Sequence, residues 1–172
     1  MRKIKKFFVL GLICTMTVSF SGCKKRYVSP MEEPNMTRAP EDKEYEFDFV
    51  QINNDVIESL QDQEIYSFVK SVDVTGDNDN KEINLNIDIE ENVSDDAIEL
   101  LLTDATKAII DAANTQDLRI DRYTEDEFGN LFNLYSYNVK VTSGEEVVRE
   151  ENLNKGDSVP FDPSMTIENV IG

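Results

Sequence analysis

The chain has 172 residues, with 17 Lys and Arg, 35 Asp and Glu and no His, for a net charge of −18. That length allows one ordinary domain with appendages. The absence of His excludes histidine-based catalysis and histidine metal ligation, and the acidity disfavours a nucleic-acid partner, whose phosphates are met by Lys and Arg.

The N-terminus carries Arg2, Lys3, Lys5 and Lys6, followed by an apolar run over residues 7–20. A basic start and a short apolar core form the pattern of an export signal. As helix, the run would rise about 21 Å, short of a hydrocarbon core of about 30 Å. Residues 1–22 therefore read as a signal peptide, with its cations kept on the cytoplasmic side.

At the end of the run, Phe20-Ser21-Gly22-Cys23 places two small residues directly before a cysteine. This resembles the lipobox of bacterial lipoproteins, over residues 1–23 only, although Phe20 stands where Leu is usual. The resemblance implies that Cys23 is diacylated on sulfur, that cleavage occurs ahead of it, and that Cys23 anchors the chain to the membrane. Cys14 lies inside the apolar run after Leu12 and Ile13 and is read as filler lost with the signal. The mature chain would then retain no second cysteine for an intramolecular disulfide.

Residues 23–43 read as the lipidated cysteine and a flexible linker, with Pro30, Pro34 and Pro40 among polar residues. As a coil the linker spans about 25 Å. Residues 44–172 hold eight Lys and Arg against 31 Asp and Glu, a net −23. Lys24, Lys25 and Arg26 suit an anionic leaflet, whereas the acidic body is repelled from it.

Within the body, residues 53–61 suggest a short helix with Val56, Ile57 and Leu60 on one side. Residues 65–75 are rich in β-formers and lead into the turn residues 76–80. Ile83, Leu85, Ile87 and Ile89 then alternate with polar residues, the pattern of a half-buried strand. The two runs are expected to pair as an antiparallel hairpin. Ser94 is a natural N-cap, followed by Asp95 and Asp96 at the positive end of a helix. Ile98, Leu101, Leu102, Ala105, Ile109 and Ala112 give that helix one apolar face, and it is expected to end near Asn114. Glu99, Thr103, Lys107 and Asp111 fall mainly on the other side. Beyond it, strands are expected at residues 118–123, 131–141 and 147–150, then an extended tail containing Pro160 and Pro163. The predicted fold is α+β, with one amphipathic helix on a mainly antiparallel sheet as a two-layer sandwich, in the order β-hairpin, helix, β-meander.

Candidate chemistry is sparse. The turn from Asp73 through Asp77 to Asp79 spaces oxygen ligands as calcium loops do, but the glycine and glutamate of such loops are missing from their positions. A solvated hairpin turn is the simpler reading. Glu125-Asp126-Glu127, Glu145-Glu146 and Glu150-Glu151 supply carboxylates, and paired carboxylates serve glycoside hydrolysis when a cleft raises one pKa. Tyr135 and Tyr137 share a strand face, either as sheet packing or as a carbohydrate platform. Neither phosphate-binding glycine fingerprint is present, and no cofactor, catalytic residue or metal ligand is assigned.

These features point to a lipid-anchored envelope lipoprotein on the extracytoplasmic side of a bacterial cell membrane. Its acidic domain is expected to act as a non-catalytic binding or scaffold module for another envelope component, a basic protein by charge. A small hydrolase using paired carboxylates and a divalent-cation-binding module are the alternatives.

Overall fold

The computed structural model describes residues 43–61 and 64–171. The expected signal peptide, Cys23 and the linker up to residue 42 lie outside the described residues. Among the described residues, no helix is long and apolar enough to cross a membrane.

Helix α1 spans Phe49–Gln61. It starts where it does because Asp48 Oδ1 accepts the N–H groups of Val50 and Gln51, at 3.0 and 3.1 Å. Ile52, Val56 and Leu60 recur every fourth residue on its buried side. A short 3-10 turn, Glu64–Tyr66, precedes strand β1, Val69–Asp77. Strand β2, Glu82–Ile89, returns antiparallel to β1. The turn between them is closed by Asp77 Oδ1, which accepts the Asp79 and Asn80 N–H groups at 2.8 and 3.0 Å.

Helix α2 covers Asp95–Gln116, with Ser94 Oγ accepting the Ala97 N–H as N-cap. One helical turn, α3 at Leu131–Leu134, then leads into β3, Ser136–Ser143. Strand β4, Glu146–Leu153, pairs antiparallel to β3, and a five-residue helix α4, Ile167–Ile171, follows. The strands lie in the order β1-β2-β3-β4.

The α+β class is present, but the sheet is mixed, because β2 and β3 at its centre run parallel. The expected mainly antiparallel sheet with a β-meander is thereby corrected. Two hairpins are joined by the α2 segment, and parallel neighbours require a crossover of that kind. Residues 118–123 form no strand: Ile120 N–H closes a turn on Asp117 O, and Asn130 holds the Arg119 carbonyl and the Asp121 N–H. Nor are residues 131–134 extended. Leu131 and Phe132 are both buried, which consecutive residues of a strand beside one core cannot be.

One core gathers Val74 of β1, Ile83, Leu85, Ile87 and Ile89 of β2, and Tyr137, Val139 and Val141 of β3 with the apolar residues of α1 and α2. The expected apolar face of α2 is buried as read, yet so is Thr103, assigned to its outer side. The chain after β4 explains this. It folds back instead of extending away, burying Phe161 and bringing the Asp162 carbonyl to Thr103 Oγ1 at 3.3 Å.

Candidate functional site

The alternation that buries every second residue of β2 and β3 aims the others at the opposite face of the sheet. On that face the strand register places one large apolar side chain, Val147 on the edge strand β4. The rows of the face follow from the same register. Asp73, Asn86, Lys140 and Glu150 stand side by side across the four strands. The next row holds Thr75, Asn84, Asn138 and Asn152, and Asp77, Glu82 and Ser136 lie beyond it. In the other direction Ser71, Asp88, Thr142 and Val147 form a further row. Every one of these residues is exposed or half-buried, so this face of the sheet is open to solvent.

Short polar bonds stiffen it. Asn138 Nδ2 donates to Asn84 Oδ1 at 2.9 Å and to Glu82 Oε1 at 3.1 Å. Asp88 Oδ1 accepts the Gly144 N–H at 3.1 Å, tying the β3–β4 turn to β2. A shallow depression on the face is lined by Ser71, Asp73, Asn86, Asp88, Lys140 and Thr142. Five carboxylates (Asp73, Asp77, Glu82, Asp88 and Glu150) share the face with a single cation, Lys140. Such a surface attracts cationic groups over a distance set by the Debye length.

The sequence candidates are scattered. Asp77 spends one carboxylate oxygen on the backbone of its own turn, and those N–H bonds hold its pKa below the usual value. Asn78, within the turn read as a solvated hairpin turn in preference to a calcium loop, points inward and accepts the Phe47 N–H. Among the described residues, no group of three or more His, Cys, Asp or Glu is arranged to hold a metal ion. Glu125, Asp126, Glu127, Glu145 and Glu146 are exposed. Glu150 belongs to the open face, whereas Glu151 turns to the core side and pairs with Arg149 at 2.8 Å. Residues 67–70 have a Ser-x-x-Lys spacing, but Lys70 Nζ donates to the Ile89 carbonyl and faces Glu90. Its ammonium is committed to structure.

Tyr135 and Tyr137 are fully buried and form no platform. Tyr137 stacks on Phe132 with ring centroids 4.4 Å apart, and burial pushes its hydroxyl pKa up. Sequence reading passed over most of the open face. Asn84, Asn86 and Asp88 were visible as the polar half of an alternating strand, but their neighbours Asn138 and Lys140 become neighbours only through the parallel register.

No family model, curated protein or solved structure matches the chain.

Proposed function

We propose that this chain is a bacterial lipoprotein anchored through Cys23 on the extracytoplasmic side of the membrane. Its domain is a non-catalytic binding module that docks a basic envelope protein on the open face of the sheet, with the helices as a layer behind the other face. One observation carries the reading. A four-stranded face, polar except for Val147 at its β4 edge, is left uncovered and bears carboxylates in adjacent rows. Binding through such a face is steered by charge and fixed by short polar contacts, so it is fast and salt-sensitive. The basic start, the apolar run and Ser21-Gly22-Cys23 support the anchor. A Pro-containing linker between the anchor and a body of −23 supports a domain held away from an anionic leaflet.

Crosslinking in the native cells followed by co-purification tests the docking surface. Asp73→Lys with Glu150→Lys is expected to lose the crosslinked partner, while Glu125→Lys with Asp126→Lys retains it. Equal recovery from both variants would remove the open face from consideration. The anchor is tested separately. Mass spectrometry of the mature N-terminus is expected to show a diacylglyceryl-modified Cys23, and Cys23→Ala is expected to leave the membrane fraction.

A further inference from the structure

Residues 43–48 lie in a cleft whose walls bond to their backbone through side chains instead of strand pairing. The Asn78 carboxamide engages Phe47 from both ends: Oδ1 accepts its N–H at 3.0 Å and Nδ2 donates to its carbonyl at 2.9 Å. Gln116 treats Asp48 the same way, accepting its N–H at 2.7 Å and donating to its carbonyl at 3.1 Å. The Tyr45 carbonyl accepts from Lys81 Nζ at 2.8 Å and from the Tyr135 hydroxyl at 3.2 Å. Arg119 donates to the Lys43 carbonyl and lies over the Tyr45 ring at 4.1 Å. Phe47, the deeply buried residue of the segment, packs on Tyr135 with centroids 5.5 Å apart.

We propose that this cleft is a recognition site for an extended peptide with aromatic residues two positions apart, a carboxylate between them and one on either side, closed in cis by residues 43–48. Paired donor–acceptor contacts from Asn78 and Gln116 read backbone, which any extended peptide offers. Selectivity comes from the two aromatic seats and from charge. Lys81 and Arg119 are two of the eight cations in residues 44–172, and both face this segment, whose own side chains include Glu44, Glu46 and Asp48. Lys81 Nζ lies 3.7 Å from Glu44 Oε1. The segment joins α1 through Asp48, which caps that helix and accepts the Ile52 N–H, so its release also frays the first turn of α1. On release, water can satisfy Asn78, Gln116 and Lys81, so the segment opens locally at a lower cost than the sheet.

A tethered occupant competes at an effective concentration in the millimolar range. If the cleft is closed about 99% of the time, a peptide in trans binds about 100-fold more weakly than the cleft allows. Weakening the cis segment without touching the walls therefore exposes the site. This proposal concerns a surface separate from the open sheet face and depends on neither that surface nor the anchor.

The test uses the full chain and a labelled hexapeptide with the sequence of residues 43–48. Phe47→Ala is expected to bind the peptide at least tenfold more tightly than the unaltered protein, and Gln116→Ala in that background is expected to reverse the gain. In the unaltered protein the Asp48 amide is expected to exchange its hydrogen well before the Val139 amide. A folded Phe47→Ala protein that binds no peptide overturns the proposal, as does equal binding by the unaltered protein, binding indifferent to Gln116→Ala, or an Asp48 amide that exchanges only on global unfolding. Should Phe47→Ala not fold, Tyr45→Ala, with a half-buried ring, takes its place under the same criteria.

Discussion

The Thr106 hydroxyl lies 3.1 Å from the Tyr137 hydroxyl, and both residues are fully buried. Thr106 Oγ1 also donates to the Leu102 carbonyl at 2.7 Å, so its single hydrogen is already spent. Tyr137 must then be the donor to Thr106. The direction matters, because it decides which partner is stranded when the other is removed.

Thr106→Val leaves the Tyr137 hydroxyl buried without a partner, which costs about 1–3 kcal/mol. Tyr137→Phe leaves Thr106 bonded to Leu102 and costs about 0.5–1.5 kcal/mol. Urea denaturation is expected to rank Thr106→Val as the more damaging, with the double variant less destabilised than the two single losses combined. Equal losses would mean that the hydroxyls do not bond in this direction.

Burial also sets an alkaline limit. The Tyr135 hydroxyl is pushed up to about 12, first by burial and then by the charges of Glu44 and Glu46. Tyr66 is raised by burial and by its 2.6 Å bond to Asp104, and Tyr137 by burial. A tyrosine whose folded pKa lies above its unfolded value near 10 stabilises the fold fully below that pH. The contribution is lost as pH climbs toward the folded pKa. Melting temperatures are expected to hold up to about pH 10 and then fall, with Tyr135→Phe showing a shallower decline between about 10 and about 12.

At the acid end the sign reverses. Asp117 is held below its usual pKa chiefly by its hydrogen bonds from Arg119, whose Nη2 lies 2.6 Å from Asp117 Oδ2. Its contribution is present above the unfolded pKa near 3.9 and is lost as pH falls through the lower folded value. Asp117→Ala leaves the Arg119 guanidinium without this carboxylate and is expected to lower stability at neutral pH. Between about pH 5 and pH 2 its stability is expected to fall less steeply than that of the unaltered protein. Parallel acid curves would assign the acid sensitivity elsewhere.

How much of this was readable in advance depends on the distance over which each feature is determined. The alternation from Ile83 to Ile89 and the apolar spacing from Ile98 to Ala112 are local, and both elements formed as the spacing predicts. Parallel pairing of β2 with β3 was not readable, since an alternating strand looks the same whichever way its neighbour runs. The open face inherits that gap, because Asn138 meets Asn84 only through this register. The cleft around residues 43–48 was hidden more deeply. Asn78 and Gln116 lie 31 and 68 residues from the groups they bind, and Asn78 looks like an ordinary turn residue until Phe47 is seen against it.

Gly76 lies on the core side of β1 next to the Phe49 ring, which occupies the space a methyl group there would need. The ring cannot simply swing aside, because it is in edge contact with both Phe47 and Tyr135. Gly76→Ala is expected to cost about 1–3 kcal/mol in urea denaturation, with part of the loss recovered by Phe49→Leu. Additive losses from the two changes would show that the ring and the glycine do not share that space.

The two edges of the sheet are protected differently, and β4 carries the sharper expectation. On β1, the Val74 N–H is covered by Asn53 Oδ1 of α1 at 2.8 Å. On β4 the protection comes from side chains. Arg149 and Glu151 stand opposite the fully buried Val141 and Val139, at positions where the pattern of β3 would place apolar residues. Arg149 Nε approaches Glu151 Oε1 to 2.8 Å as an ion pair without the alignment of a hydrogen bond. Charges turned inward on an edge strand oppose the docking of a further strand, since pairing would strip them of water. Val147 and Val148 are already exposed on the same strand, so little else resists association there. Replacing Arg149 with Ile and Glu151 with Val is expected to preserve or raise the thermal midpoint while producing oligomers that grow with concentration in light scattering. A double variant that stays monomeric at every concentration would show that the body's charge of −23, present along the whole surface, is sufficient to keep copies apart.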